Sequence, residues 1–302
     1  MNSAAIDLSR LAPPELVETI NFETLLDERK ASLIAMYPAA KQAEVAATLE
    51  LESEPLVLWL QENTYREMKV RQRINDAARA MMLAYARGSD LEHLGALLGV
   101  ARLVIQPANP LTGAIAVMED DEDLRQRIQL APEGFSVAGP AGAYVATAIN
   151  ASGMVLHAAA TSPAPGAVLV TVLSRNGSGT ADDELLAIVT EAVNSEEARP
   201  LTDHVVVQSA EIIPYQVQAT LFTLPGPDPD LVMAEAKARL KTYVDSCHRI
   251  GREVAISGLH AALHVSGVEQ INLVKPVTNI QANDTQATYC TAINVIYGGV
   301  NG

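Results

Sequence analysis

Cysteine, aromatic side chains and positive charge are all scarce in this 302-residue sequence. Two cysteines, Cys247 and Cys290, are too few for a disulfide framework and read as reduced, buried thiols. Aromatic residues make up 4%, so the cores rest on Ala, Val, Leu and Ile, which favours close helix contacts over aromatic-lined pockets. No apolar run approaches the roughly 18 residues that a membrane-spanning helix needs. The opening MNSAAIDLSR has no basic stretch followed by an apolar one, so no secretory signal is expected. Acidic residues outnumber basic ones by 36 to 21, giving a net charge of −15. Such a chain repels nucleic acid and anionic membranes, and neither is expected as a partner.

The motifs of catalysis are missing too. There is no phosphate-binding Gly-x-x-x-x-Gly-Lys-Ser/Thr stretch and no Gly-x-Ser-x-Gly elbow. Gly177-Ser178-Gly179 holds its serine in a turn, without the strand-to-helix context that would activate it. The acidic run Glu119 to Asp123 lacks the spacing of a calcium loop. With Arg125 and Arg127 after it, it reads as a helix start that suits the helix dipole. His260 and His264 stand four apart on one helix face, a spacing that can hold zinc. Ala261, however, stands where a metalloprotease helix carries Glu, and no third ligand is evident. No metal or cofactor is expected, and a metal-dependent hydrolase using His260 and His264 is the rival reading. A nucleic-acid binder using a basic helix is a third. Cys247 and His248, adjacent on a helix, point apart and suit packing better than catalysis.

What the sequence does have is 49% hydrophobic and 19% charged residues, enough for packed cores. After an extended arm over residues 1–20, helical patterns run to about residue 108, beginning at Asn21, which can cap. Ile105-Gln106-Pro107-Ala108-Asn109-Pro110 reads as a linker and domain boundary. Beyond Gly153 the texture changes. Strands, turns and single amphipathic helices alternate over 109–210 and again over 211–302. The fold class expected is α+β: a helical N-terminal region with one long helix (1–108), then two small α/β sandwich domains (109–210 and 211–302).

Two features invite function. From Pro55 to Arg87 there is no internal Gly or Pro, which predicts one long helix stopped by Gly88. Leu56, Leu60, Asn63, Glu67, Val70, Ile74, Ala77, Met81 and Ala84 alternate in steps of four and three, the spacing of a seam shared between helices. Asn63 would fix register there. Trp59 belongs to the same candidate interface, as do Arg71 and Arg73. Between residues 66 and 87 six cations face two acids, a candidate docking face for an acidic partner such as a second copy of the chain. The second feature is FSVAGPAGAY, residues 135–144. No strand leads into it and no Lys follows, so it reads as a helix-to-helix joint rather than a phosphate loop. Gly139, Pro140 and Gly142 would supply small bulk and a helix start where another backbone can approach.

Several segments in order resemble the baseplate J-like family of contractile-tailed phages, phage-tail-like bacteriocins and contractile injection systems. They are residues 22–30 (FETLLDERK), 51–55 (LESEP), 61–67 (QENTYRE), 88–91 (GSDL), 123–127 (DLRQR), FSVAGPAGAY, 199–203 (RPLTD), 260–265 (HAALHV) and 289–291 (YCT). The resemblance implies a structural wedge component of a baseplate, not an enzyme. It also implies assembly in the bacterial cytoplasm into a virion or tail-like particle. The partners implied are a second copy, a smaller wedge subunit, a lysozyme-like sheath initiator and the central hub or spike. The N-terminal helices would join a bundle, and the later domains would link neighbouring wedges.

Overall fold

The computed structural model describes residues 8, 11, 14, 18–136, 139–196, 198–226 and 228–301. Most of the arm expected over residues 1–20 lies outside the described residues. The rest fall into two compact units, one ending at Leu97 and the other starting at Leu98.

The first unit is helical. Asn21 caps α1 (Phe22–Ala35) by accepting the Thr24 N–H at 3.1 Å. Pro38 separates α1 from α2 (Ala39–Leu49). Pro55 sits in the first turn of α3 (Pro55–Ala80), where a missing N–H costs nothing. A final helix, α4, spans Gly88–Ala96. Leu26, Leu49, Val57 and Leu60 form the core, with Phe22, Leu33, Val45 and Leu56 packed against it. Buried Asn75 is satisfied twice: it accepts the Glu18 N–H at 3.1 Å and donates to the Glu18 carbonyl at 2.9 Å.

α3 is shorter than expected. It ends at Ala80, not Arg87, and Met81 is its C-cap. The following turns carry Tyr85 back, where its hydroxyl donates to the Leu11 carbonyl at 2.7 Å, and bury Ala86. These tertiary contacts outweigh a sequence that could have stayed helical.

The second unit opens with a β-hairpin, not the expected linker. β1 (Val104–Gln106) pairs with β2 (Val117–Met118). Then come α5 (Asp121–Leu130), a 3-10 turn at Ala131–Phe135 and α6 (Ala141–Ala151). A three-stranded sheet follows in the order β3-β4-β5. β3 (Val155–Ala164) is antiparallel to β4 (Ala167–Ser174), and β5 (His204–Ser209) is parallel to β4 after crossing through α7 (Asp183–Val193). Tyr144 and Ala148 of α6 and Leu185, Val189 and Val193 of α7 bury Val155, Ala158, Val170 and Val172 of the sheet.

The last part repeats the layered plan. β6 (Glu211–Thr223) is central, with β7 (Val268–Lys275) antiparallel on one side and β8 (Gln286–Val300) parallel on the other. On β6, Tyr215, Val217, Ala219 and Leu221 alternate into a core shared with α8 (Pro229–Cys247) and α9 (Ile256–Leu263). The two sheets meet through a small apolar cluster of Leu173, Ala210, Ile250 and Ala287. With a helical region followed by two small sheets backed by helices, the architecture is α+β as expected.

Candidate assembly surfaces

α3 carries a buried stripe and an exposed apolar one. Val57, Leu60, Thr64, Asn75 and Ala78 are buried within their own unit. About a third of a turn round the helix lie Trp59, Val70 and Ile74, at 60%, 60% and 54% exposure. The expected seam ran between the two. Of its residues, Leu60 is core, Leu56 is half-buried against that core, and Met81 lies beyond the helix end at 79% exposure. Asn63 is half-buried and donates to the Trp59 carbonyl at 2.9 Å, one turn back on its own helix.

The charges on α3 are partly spent inside the unit. Glu67 receives hydrogen bonds from Arg29 and Arg71, in that order of strength, and these hold its carboxyl below the usual range. Arg71 also reaches Glu18 at 2.9 Å, so it is engaged on both sides. Arg66 pairs with Glu62, and Lys69 lies 4.5 Å over the Tyr65 ring. Arg73 has no ion pair among the described residues and stays exposed beside Val70 and Ile74. The open face thus combines three apolar side chains with a free cation.

The joint is built as close contact, but with side chains instead of a backbone. Val137 and Ala138 lie outside the described residues. Gly139 has φ +76°, and a Cβ there would stand 2.8 Å from Asp203 Oδ2 and 2.9 Å from Pro200 Cγ. At Gly142 a Cβ would meet the Glu133 carboxylate at 2.5 Å. Pro140 is the N-cap of α6, one position earlier than a first-turn proline. Tyr144, on the buried face of α6, donates to Asp203 Oδ2 at 2.8 Å. Burial first, then Asp203, pushes its phenol up to about 12. Two stretches some 60 residues apart, FSVAGPAGAY and Arg199 to Asp203, thereby form one locked corner.

After the hairpin each member of the acidic run finds a partner, Glu122 through Arg125. Asp120 caps α5 by accepting the Asp123 N–H at 2.9 Å. Buried Glu119 pairs with buried Arg127 and accepts the Leu103 N–H at 2.9 Å. Asp121 pairs with Arg102 at 2.7 Å. Asp123 reaches Arg175 at 2.6 Å and Arg249 at 3.9 Å, so α5 is tied both to the turn after β4 and to the segment after α8. The helix-start reading holds for this run. Its role as a junction of three elements had no sequence signal beyond the surplus of acids.

The imidazole pair does not stay on one helix face. α9 ends at Leu263, and His264 is its C-cap at φ −83°, ψ 72°. Both histidines line an open surface depression of about 350 Å³ with Glu269 and Gln270. Among the described residues no group of three or more His, Cys, Asp or Glu could hold a metal ion. Cys247 is buried in the core, and His248 Nδ1 lies 2.7 Å from the Thr288 carbonyl, which is packing as expected. No described helix is long and apolar enough to cross a membrane.

Three family descriptions match the chain in order. They are the Baseplate J-like N-terminal domain over residues 52–109, the Baseplate J-like central domain over 136–209 and the Baseplate J-like protein C-terminal domain over 215–296. The chain is also 49% identical over 296 residues to Baseplate protein J of Escherichia phage P2, covering 97% of this chain and 98% of that protein.

Proposed function

The chain belongs to the baseplate J-like family and is a structural component of a phage baseplate, and from that premise we propose that it is a wedge subunit that assembles through α3. In this reading residues 1–108 form a bundle domain. There the open stripe of α3 joins a second copy and a smaller wedge subunit. Residues 109–210 and 211–302 form two further domains that link neighbouring wedges into a ring around the hub or spike, beneath a sheath initiator. Rearrangement of those links would couple triggering of the baseplate to sheath contraction. Several moderate contacts closed into a ring give a stability that none has alone.

The observation that carries the reading is the exposed stripe Trp59-Val70-Ile74, with Arg73 beside it. Side chains of this size contribute roughly 1.5–3 kcal/mol each when fully buried. The unit's own core does not use them, so a partner is what would. Leu60 is unsuitable as a probe because it is core, and an acid there would unfold the unit. Trp59→Asp combined with Ile74→Asp is the clean test. The variant is expected to keep the helical circular dichroism of the wild type and to yield no complete particles in electron micrographs of complemented lysates. Normal numbers of complete, contractile particles would sink the bundle reading. Reversing Arg73 to Glu is expected to weaken capture of the smaller subunit at low salt only.

A further inference from the structure

Edge strands expose unpaired N–H and C=O groups, and proteins blunt them with charge, proline, shortness or cover. The four edges of the two three-stranded sheets differ in this respect. β7 carries Glu269 and Lys275, β3 carries Pro163, and β5 is only six residues long. β8 is fifteen residues long, QATYCTAINVIYGGV, and has no charged residue and no proline.

Its outer edge is covered only at the start. Ile250 bridges Ala287, the Gly251 N–H donates to the Gln286 carbonyl at 2.9 Å, and His248 Nδ1 meets the Thr288 carbonyl. From Cys290 to Val300 no described strand lies on that side. The far end is pinned inward, since the Asn301 N–H donates to the Thr223 carbonyl at 3.0 Å. The bare stretch is therefore held at both ends. Register breaks at Thr291 and Gly298 delimit a regular ladder from Ala292 to Tyr297, paired to Gln216 through Leu221. AINVIY is a six-residue uncharged segment of high β-propensity, the kind that self-associates when left open.

We propose that the free edge of β8 pairs antiparallel with β8 of a second copy, across a two-fold axis at Val295. Val295 is the midpoint of the bare stretch from Cys290 to Val300, so pairing there ends on both sides where the covered stretch begins. It also keeps the helix-covered faces of the two sheets continuous. Ile293 of each copy then stands opposite Tyr297 of the other, a favourable aromatic and β-branched pair. Charge selects a second copy: in a chain of net −15 most surfaces repel a copy, and a strand without charge does not. The inference rests on the family reading and adds a named contact for the C-terminal domain.

The contact is small, at the low end of specific interfaces, below about 1,200 Å². It is weak between free chains and strong where other contacts hold copies together. Hydrogen exchange of the purified full chain tests it between about 10 and 1,000 µM. In a parallel pair alternate residues point outward, so about half of the amides from Ala292 to Tyr297 are free to respond. These are expected to slow about tenfold once nine-tenths of the chains are paired. Ile296→Lys, on the open face at 53% exposure, is expected to abolish the slowing with unchanged thermal unfolding. Asn294→Lys on the same face is the second variant. Exchange independent of concentration overturns the pairing, as does slowing that survives both lysines. Slowing seen only when the smaller wedge subunit is added overturns the second copy as occupant. Because the assay uses the isolated chain, its failure leaves the α3 reading standing, and loss of particles in the α3 variant leaves β8 pairing standing.

Discussion

Replacing Gly139 by alanine isolates what the corner at FSVAGPAGAY contributes. Gly139 has φ +76°, where an L side chain costs about 1–2 kcal/mol. The new Cβ would also stand 2.8 Å from Asp203 Oδ2 and 2.9 Å from Pro200 Cγ, so the carboxylate must move. That carboxylate accepts the Tyr144 hydroxyl, a charge-assisted bond of about 1.5–3 kcal/mol, part of which is lost. Together these predict a destabilisation of about 2–4 kcal/mol for the unit from Leu98 onward. For a unit of this size that lowers the unfolding temperature by about 5–15 °C. Scanning calorimetry of the full chain reads the change. Fluorescence of Trp59, the sole tryptophan, reports the helical unit and is expected to be unmoved. Tyr144→Phe removes the bond without the backbone strain and is expected to cost less, about 1–2 kcal/mol. Gly142→Ala meets mainly the flexible Glu133 side chain and is expected to stay within about 1 kcal/mol of wild type. A Gly139→Ala protein that melts with the wild type would refute the argument, and one no worse than Tyr144→Phe would remove the left-handed backbone from it.

Acid is expected to loosen the contact between the two sheets. The Ile250 N–H donates to His157 Nδ1 at 3.3 Å, which requires the neutral ring. Burial first, then Arg249, pushes His157 down to about 4 from 6.5. The unfolded chain therefore takes up the proton first, so the stabilisation is present above pH 6.5 and lost as pH falls toward about 4. Urea midpoints across that window should fall less steeply in His157→Gln, and equal slopes would remove the histidine from the account. Salt should act oppositely on the two proposed contacts: raising it from about 0.05 to 0.5 M screens repulsion between acidic copies and strengthens β8 pairing, but weakens capture through Arg73. Light-scattering mass and pull-down at both salt levels would show the split, and movement in the same direction would refute the electrostatic assignment.

Local rules made much of this fold legible. Asn21, Asp120 and Asp182 each cap the helix that the sequence suggests, and the period-two alternation of β6 marks its buried face without ambiguity. What failed was tertiary. Nothing local ends α3 at Ala80; Tyr85 and Ala86 are pulled out of the helix by contacts with the rest of their unit. The two stripes of α3 merged into one seam because a one-dimensional pattern cannot say which of two adjacent faces meets the core. Pro107 and Pro110 suggested a linker, yet Gly113 at φ +71° turns the chain back so that Val117 can pair with Gln106. The partner of the glycine joint lies about 60 residues downstream, where only a corner closed in three dimensions reveals Pro200 and Asp203.

The net charge of −15 understates how acidic the surface is, because several cations are used internally. Arg127 is buried on Glu119, Arg102 and Arg175 are committed to Asp121 and Asp123, and Arg71 is held between Glu18 and Glu67. The Arg127–Glu119 pair takes one base and one acid out of solvent and Arg102 and Arg175 are largely covered, so the fifteen surplus negative charges fall on fewer exposed groups. Copies brought together at random would repel. Association is then confined to places where the field is locally weak or reversed. The stripe of α3 beside Arg73 and the uncharged edge of β8 are two such places with apolar content among the described residues, and the uncharged hairpin with exposed Leu111 and Ile115 is another. The first two lie in different compact units, so a single chain can be held by two independent contacts. A subunit that makes two weak contacts on separate units is held more firmly than either contact alone would hold it. In the proposed ring such a subunit can release one contact and keep the other, and so change shape without leaving.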